Sequence, residues 1–197
     1  MTSIDARGLA CPAPVVKARA AIADLPQAGG LVQILVDNPL AAENLERMST
    51  AAGHSAARQD QGAGTYTVTI TVGKGARDAA VTSSHTSTPG PVVAIGSNSM
   101  GKGANELGEI LIKGFLYTLT QLDPPPQTLL LFNGGVKLAA ADANTHTDLE
   151  TLSQRGTRIL VCGTCVNYYG IDIAVGEIAN MLDIVEAMQS AEKLINL

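Results

Sequence analysis

Cys11 is the first of three cysteines in the sequence, and it stands immediately before Pro12-Ala13-Pro14. A proline at the first position of a helix needs no N–H group there, and its φ is already close to the helical value. This spacing predicts a helix with Cys11 as its N-cap. Free N–H groups and the positive end of the helix dipole would then favour the Cys11 thiolate, a nucleophile at neutral pH. The alternative interpretation is a small buried cysteine before a helix.

The other two cysteines, Cys162 and Cys165, form a C-x-x-C motif directly after an apolar run of strand length. Two thiols at this spacing can close a disulfide, pass a persulfide from one sulfur to the other, or supply half of a metal site. A metal site is disfavoured because the motif occurs once and the histidines are scattered as His54, His85 and His146. We therefore expect neither a metal nor another cofactor. We expect Cys165 to be the more exposed thiol, and Cys162 is either reactive or buried and inert.

Composition limits the classes of function. The net charge of −5 argues against a nucleic-acid-binding protein, which would normally be basic. The longest apolar stretch, residues 107–122, contains Glu109 and Lys113, so we do not expect it to span a membrane. The sequence shows no secretory signal pattern, and three cysteines do not make a disulfide framework. These observations predict a cytoplasmic protein.

Residues 1–73 show the pattern of a small α/β domain with the element order βαβαββ. After Cys11 the apolar side chains recur at helical spacing, and Thr65–Val72 alternates strictly between threonine and larger residues, which is typical of a strand with one buried face. We predict a two-layer sandwich with both helices on one side. Its strands are expected at 2–5, 31–37, 54–60 and 65–72, and its helices are expected to end before Gly29 and at Gly53.

Residues 74–91 consist mainly of glycine, serine, threonine, alanine and proline without an apolar period, which predicts a flexible linker. Beyond it, residues 92–197 alternate between strands and helices, which indicates a mostly parallel, flavodoxin-like three-layer sheet. Its strands are expected at 92–95, 128–132, 158–162 and 194–197.

Two local patterns refine the helices of this second domain. The first helix is expected to bury one apolar stripe, formed by Leu107, Ile110, Leu111, Phe115, Leu119 and Leu122. Thr147 and Glu150 have the spacing of a capping box at the start of a later helix.

Ligands of open parallel sheets bind at the carboxyl ends of the strands. We therefore expect the loops 97–103, 133–135 and 162–169 to converge, with backbone amides of Gly101, Gly134 and Gly135 available to an anion. The first loop also fits the P-loop pattern G-x-x-x-x-G-K. Gly103, however, stands where that pattern has the Ser or Thr that holds Mg²⁺, so we do not expect nucleotide hydrolysis.

The residues around Cys11 resemble the D-x-R-G-L-x-C-P-x-P-V signature of the TusA/SirA-like sulfur-carrier domains. In that family the cysteine at this position carries a persulfide, which implies this role for Cys11 and places Pro12 and Arg7 beside the bound sulfur. Arg7 either steers an anionic group or is a solvated surface charge. The matching residues are Asp5, Arg7, Gly8, Leu9, Cys11, Pro12, Pro14 and Val15.

Three segments of the second domain, residues 100–103, 133–136 and 162–170, resemble the carboxyl half of YedF-type proteins linked to selenium metabolism. That half is similar to the DsrE-like domains of sulfur-relay subunits. The resemblance implies that a cysteine near a strand end relays sulfur and that the domain forms homo-oligomers. It does not decide between Cys162 and Cys165.

Together these observations favour a sulfur or selenium carrier with sulfurtransferase-like chemistry rather than a turnover enzyme. Cys11 would accept a persulfide-type species from a donor protein such as a cysteine desulfurase. It would pass that species to the C-x-x-C motif or to an external acceptor protein. Two rival hypotheses remain, namely a thiol-disulfide redox protein that uses Cys162 and Cys165, and a non-catalytic oligomeric adaptor.

Overall fold

The computed structural model describes residues 1–73 and 90–197. These residues belong to two compact units, Met1–His85 and Thr86–Leu197. The linker predicted at 74–91 lies outside the described residues except for its last two. Of these, Pro91 accepts a hydrogen bond at its carbonyl oxygen from the Gln127 N–H at 3.0 Å, within the second unit.

The first unit contains a four-stranded sheet and two helices. Strands β1 and β2 are parallel, and β4 runs antiparallel to both β2 and β3, which gives the strand order β1-β2-β4-β3. The predicted order of six elements is therefore present. The elements are β1 (Thr2–Asp5), α1 (Ala13–Ala23), β2 (Gly30–Val36), α2 (Pro39–Ala51), β3 (Ser55–Gly62) and β4 (Thr65–Val72).

Alternation along the two central strands places one apolar face of this sheet in the core. In β4 the buried residues are Val68, Ile70 and Val72, and the threonines between them are less buried. In β2 every second residue from Val32 to Val36 is buried in the same way. Each such aliphatic side chain contributes about 1.5–3 kcal/mol of burial free energy, which fixes the register of the sheet.

The second unit contains a five-stranded sheet in which every neighbouring pair is parallel, with the order β8-β7-β6-β5-β9. The expected parallel strands are present, and the short strand β8 was not predicted. The elements are β5 (Val92–Ile95), α3 (Asn105–Gln121), β6 (Thr128–Leu131), a 3-10 helix (Asn133–Ala139), α4 (His146–Gln154), β7 (Arg158–Cys162), α5 (Gly163–Tyr169), β8 (Glu177–Ala179), α6 (Met181–Gln189) and β9 (Leu194–Asn196).

Strands β5 and β6 are buried along their whole length, as is typical of a parallel sheet covered on both faces. Their carboxyl ends and that of β7 lead into the segments that contain the candidate site residues. The loops expected at 133–135 and 162–169 are helical instead, since the 3-10 helix begins at Asn133 and α5 follows β7 directly. None of the helices within 1–73 and 90–197 is long and apolar enough to cross a membrane.

The prediction of which face of α3 is buried was wrong. Leu107, Ile110, Leu111 and Leu122 are exposed, whereas Leu119 is buried together with Ile112 and Leu116. Helix α3 has apolar residues around most of its circumference, so the period alone does not select the buried face. A distant contact fixes the rotation, because a Cβ at Gly108 would lie 1.9 Å from Ser99 Oγ, and the Gly108 carbonyl accepts the Met100 N–H at 2.9 Å.

The capping box predicted from Thr147 and Glu150 was also wrong. Helix α4 begins two residues earlier, with Thr145 as its N-cap, and the Thr145 hydroxyl donates to the Leu138 carbonyl at 2.6 Å. This tertiary hydrogen bond places Thr147 inside the first turn. The capping box that does form belongs to α6 and pairs Asn180 with Asp183.

We expect Gly135→Ala to lower the free energy of unfolding of the second unit by about 1–3 kcal/mol, because overpacking forces the backbone to move. A Cβ at Gly135 would lie 2.1 Å from the Ile95 carbonyl oxygen, so this glycine lets the 3-10 helix pack directly against β5. The matched control is Gly114→Ala on the exposed side of α3, where a Cβ meets no atom within 4 Å. It should stabilise by about 0.5–1 kcal/mol. Urea unfolding measures both effects, and equal effects of the two substitutions would contradict the proposed packing.

Candidate functional site

Cys11 is a free thiol with intermediate exposure, and it lies one residue before the N-cap of α1. The prediction that Cys11 is itself the N-cap was wrong, because Pro12 occupies that position and α1 begins at Ala13. The Ala13 N–H closes a turn onto the Ala10 carbonyl at 2.9 Å, which separates Cys11 from the helix. Pro12 and Pro14 have no N–H group. The first turn therefore offers the Cys11 sulfur fewer free amides than the sequence suggested.

The loop between β1 and Cys11 is attached to the end of the neighbouring strand β2. The Ala6 N–H donates to the Leu35 carbonyl at 2.8 Å, and the Gly8 N–H donates to Asp37 Oδ2 at 2.7 Å. Gly8 has φ of 71°, a conformation that glycine adopts without steric cost. Sequence reasoning missed Asp37. The signal that could have found it is its position directly after β2, the parallel neighbour of β1.

Arg7 forms a two-pronged ion pair with Asp5. Its Nε and Nη2 atoms lie 3.0 Å and 2.6 Å from the two carboxylate oxygens, and the Arg7 N–H also donates to Asp5 Oδ1 at 3.1 Å. These hydrogen bonds lower the pKa of Asp5 to about 2 and raise the pKa of Arg7. Both side chains are about half exposed. Arg7 is thus a solvated, paired charge, and an anion near Cys11 would have to share it with Asp5.

Cys165 is the partly exposed cysteine of the C-x-x-C motif, and its sulfur accepts a hydrogen bond from the loop that follows β6. The donor is the Asn133 N–H, 3.1 Å from Cys165 Sγ. Asn133 has φ of 48°, and its side-chain oxygen accepts the Tyr169 hydroxyl at 3.2 Å. The backbone conformation of Asn133 and the hydrogen bond on its side chain together hold this N–H group toward the sulfur.

The loops after β5, β6 and β7 approach one another at the carboxyl edge of the sheet. A Cβ at Gly134 would lie 3.5 Å from Asn98 Oδ1, and Gly135 packs against the carbonyl of Ile95. Gly101 lies further along the first loop, is exposed and has φ of 87°. The structure thus brings Cys165, Asn133 and Gly134 together, with Gly101 at the exposed part of the loop after β5.

Cys162 lies at the end of β7 and differs sharply from Cys165 in its access to solvent. Its exposed fraction is 2%, and this burial, followed by a hydrogen bond with Cys165, raises the pKa of the Cys162 thiol to about 11. Both thiols are free. The two sulfurs of the motif are therefore neighbours with unequal access.

Aromatic and basic side chains border Cys165. The Lys137 ammonium lies 4.4 Å from the centroid of the Tyr169 ring, and Tyr168 packs edge-on against Tyr169. Sequence reasoning missed Lys137. The signal that could have found it is its position four residues after Asn133, in the same 3-10 helix. Across the part of the chain that the structure describes, no group of three or more His, Cys, Asp or Glu side chains could hold a metal ion.

Comparison with known proteins shows similarity to curated sulfur carriers over about a third of the chain. The sulfur carrier protein TusA of Pseudomonas fluorescens is 34% identical over 64 residues, which are 32% of this chain and 76% of that protein. TusA of Pseudomonas aeruginosa is 33% identical over 63 residues, or 78% of its length.

Among solved structures, a SirA-like protein from Desulfitobacterium hafniense is 41% identical, with a TM-score of 0.36, and the match covers 37% of this chain and 99% of that one. The ychN protein from E. coli is 16% identical, with a TM-score of 0.42, and the match covers 55% of this chain and 99% of that one. Residues 2–72, which contain Cys11, match the family described as sulfurtransferase TusA. Through these residues the chain belongs to the TusA family of sulfur carriers.

Proposed function

We propose that this protein carries sulfur or selenium as a persulfide-type species on Cys11. The observation behind this proposal is the position of a free, partly exposed Cys11 in the strand-end loop of a TusA-family unit. In the loading step the Cys11 thiolate attacks the outer sulfur of a persulfide on a donor such as a cysteine desulfurase. A new S–S bond forms at Cys11, and the donor sulfur leaves as a thiolate.

The contacts around Cys11 suit an exchange between protein partners. The Gly8–Asp37 hydrogen bond fixes the loop before the thiol, and Arg7 is paired with Asp5 on the same loop. Because all three cysteines are free, a reducing compartment such as the cytoplasm suits the protein.

The second unit, residues 92–197, is proposed to act as a DsrE-like domain that accepts sulfur from Cys11 at the C-x-x-C motif. The covalent connection between the units makes such a transfer intramolecular, which raises the effective concentration of the acceptor. The acceptor can also be a separate protein.

A thiol-disulfide redox protein is the second candidate function, and the position of two free thiols at the first turn of α5, Cys162 and Cys165, favours it. In this alternative the first unit would serve only to dock partners. The two functions differ in whether Cys11 becomes loaded.

We also propose that the protein forms homo-oligomers through the exposed apolar face of α3, with a second copy of this chain as the occupant. Ile110 is 66% exposed and Leu107 is 55% exposed on adjacent turns of this helix. Exposed apolar patches of this kind often mark protein–protein contacts.

Cys11→Ser should abolish labelling of the protein by a cysteine desulfurase and isotopically labelled cysteine, because the attacking sulfur is gone. Cys162→Ser/Cys165→Ser is the control and should still acquire one label per chain. Peptide-level mass spectrometry measures both, with sulfur and selenium donors in parallel. If the Cys11→Ser protein is labelled as well as the wild type, Cys11 is not the carrier.

Asp37→Ala should slow the loading of Cys11 several-fold, because it removes a charge-assisted hydrogen bond worth about 1.5–3 kcal/mol when shielded and less at this exposed loop. The matched control is Asp60→Ala, which removes the similar bond from the Gly62 N–H to Asp60 Oδ1 in the β3–β4 turn. The initial rate of label transfer distinguishes them. Equal rates in the two variants would show that Asp37 does not position the loop for transfer.

Ile110→Glu should convert the proposed oligomer to a monomer that remains folded, because the side chain points to solvent in the isolated chain. Val16→Glu is the control, since Val16 is an exposed apolar residue of α1 with 46% exposure. Sedimentation over a range of concentrations measures the association. A wild-type protein that is monomeric throughout this range would contradict the proposal.

A further inference from the structure

We propose that Cys165 accepts the sulfur and that Cys162 then expels it as hydrogen sulfide by closing a Cys162–Cys165 disulfide. This proposal deepens the proposed relay and rests on it for the source of the sulfur. It gives the two cysteines different roles, acceptor and resolving thiol, and makes the second unit a reductive release site for sulfane sulfur or its selenium equivalent.

The two cysteines of the motif differ in their exposure to solvent. Cys165 has intermediate exposure, whereas the exposed fraction of Cys162 is 2%. A persulfide delivered by the first unit or by a small-molecule donor needs a sulfur that it can reach in line. Within the C-x-x-C motif that sulfur is Cys165.

A backbone N–H group donates a hydrogen bond to the acceptor sulfur. The Asn133 N–H lies 3.1 Å from Cys165 Sγ, and it is aimed there by the left-handed backbone of Asn133 and by the Tyr169 hydroxyl on its side chain. A fixed N–H donor stabilises negative charge on sulfur, both on the attacking thiolate and on the persulfide anion that follows. The Lys137 ammonium against the Tyr169 ring adds positive charge at the same edge of the sheet.

The neighbouring thiol, that of Cys162, keeps its proton. Burial raises the pKa of Cys162 to about 11, so this thiol keeps its proton while Cys165 is loaded. Cys162 is the N-cap of α5 and Cys165 is the third residue of this helix, so both side chains start from its first turn. A protonated thiol next to a persulfide can supply both the attacking sulfur and the proton that the leaving group needs.

The chemistry balances in two steps. First the Cys165 thiolate attacks the outer sulfur of a donor persulfide, so that the donor leaves as a thiolate and Cys165 holds a persulfide. Cys162 then attacks the inner sulfur, which is Cys165 Sγ. The Cys162–Cys165 bond forms, the bond to the outer sulfur breaks, and the Cys162 proton leaves on hydrosulfide. The sulfane sulfur is reduced, and the two thiols are oxidised. A cellular dithiol then restores the reduced motif for another cycle.

The test uses the full chain with Cys11→Ser, so that its outcome does not depend on loading of Cys11. The reduced protein is mixed without oxygen with freshly generated glutathione persulfide, and released sulfide and peptide masses are measured in one turnover. We expect one sulfide per chain and a Cys162–Cys165 disulfide. With Cys162→Ser added, a stable persulfide should remain on Cys165 and sulfide should fall to the background set by a variant that lacks all three cysteines.

With Cys165→Ser added instead, neither product should form. Loading of Cys162 in that variant at the rate of the parent protein would overturn the assignment, as would equal sulfide release after Cys162→Ser. A failure of Cys11 to accept sulfur from a desulfurase would instead contradict the proposed function and leave these outcomes unchanged.

Tyr169→Phe tests the positioning of the Asn133 amide and does not remove a cysteine. Losing one neutral hydrogen bond of about 1 kcal/mol should slow the formation of the Cys165 persulfide about 5-fold. The pH profile of that step should also move to higher pH, because the thiolate loses its aimed donor. Tyr168→Phe, at a ring that is exposed, is the matched control and should change neither the rate nor the profile. Equal behaviour of the two variants would show that the tyrosine hydroxyl does not position the amide.

Discussion

A hydrogen bond between the segments that follow two neighbouring parallel strands is the interaction on which both candidate sites depend. In the first unit the Gly8 N–H, after β1, donates to Asp37, after β2. In the second unit the Asn133 N–H, after β6, donates to Cys165, after β7. Parallel pairing brings the carboxyl ends of neighbouring strands to one edge of the sheet. The segments that follow these strands therefore lie close enough to form hydrogen bonds without long side chains. Cys11 lies in the loop after β1 and Cys165 lies in the first turn of α5 after β7, and the buried strands hold both segments in place.

The two sites use this arrangement differently. Around Cys11 the hydrogen bond fixes the loop that precedes the thiol, and the sulfur itself is left for a partner. Around Cys165 the donated N–H reaches the sulfur directly, and a second thiol lies buried beside it. The first arrangement suits a carrier that must load and unload. The second suits an acceptor that holds a negative sulfur and has an internal thiol to displace it.

The sequence predicted those parts of the fold that depend on local pattern. The strict alternation in Thr65–Val72 and the order of the first six elements were enough to predict the first sheet, and the parallel character of the second sheet followed from alternating strands and helices. The rotation of α3 could not be predicted, because its apolar residues surround the helix and the contact of Gly108 with Ser99 decides which face is buried. The hydrogen bond from the Thr145 hydroxyl to the Leu138 carbonyl is also a tertiary contact, so the local pattern did not predict that Thr145 begins the helix in place of the expected capping box.

At the candidate sites the cysteines could be predicted from the sequence, but the residues that contact them could not. Asp37 stands 26 residues after Cys11 in the sequence and reaches its loop only through the pairing of β1 with β2. The most direct test of the account is a single-turnover time course with a desulfurase loaded with one equivalent of isotopically labelled sulfur, read from the peptides that contain Cys11 and Cys165. The account predicts that label appears first on the Cys11 peptide and declines there as it reaches the Cys165 peptide or an added acceptor. Label that reaches Cys165 before Cys11, or without ever passing through it, would contradict the account.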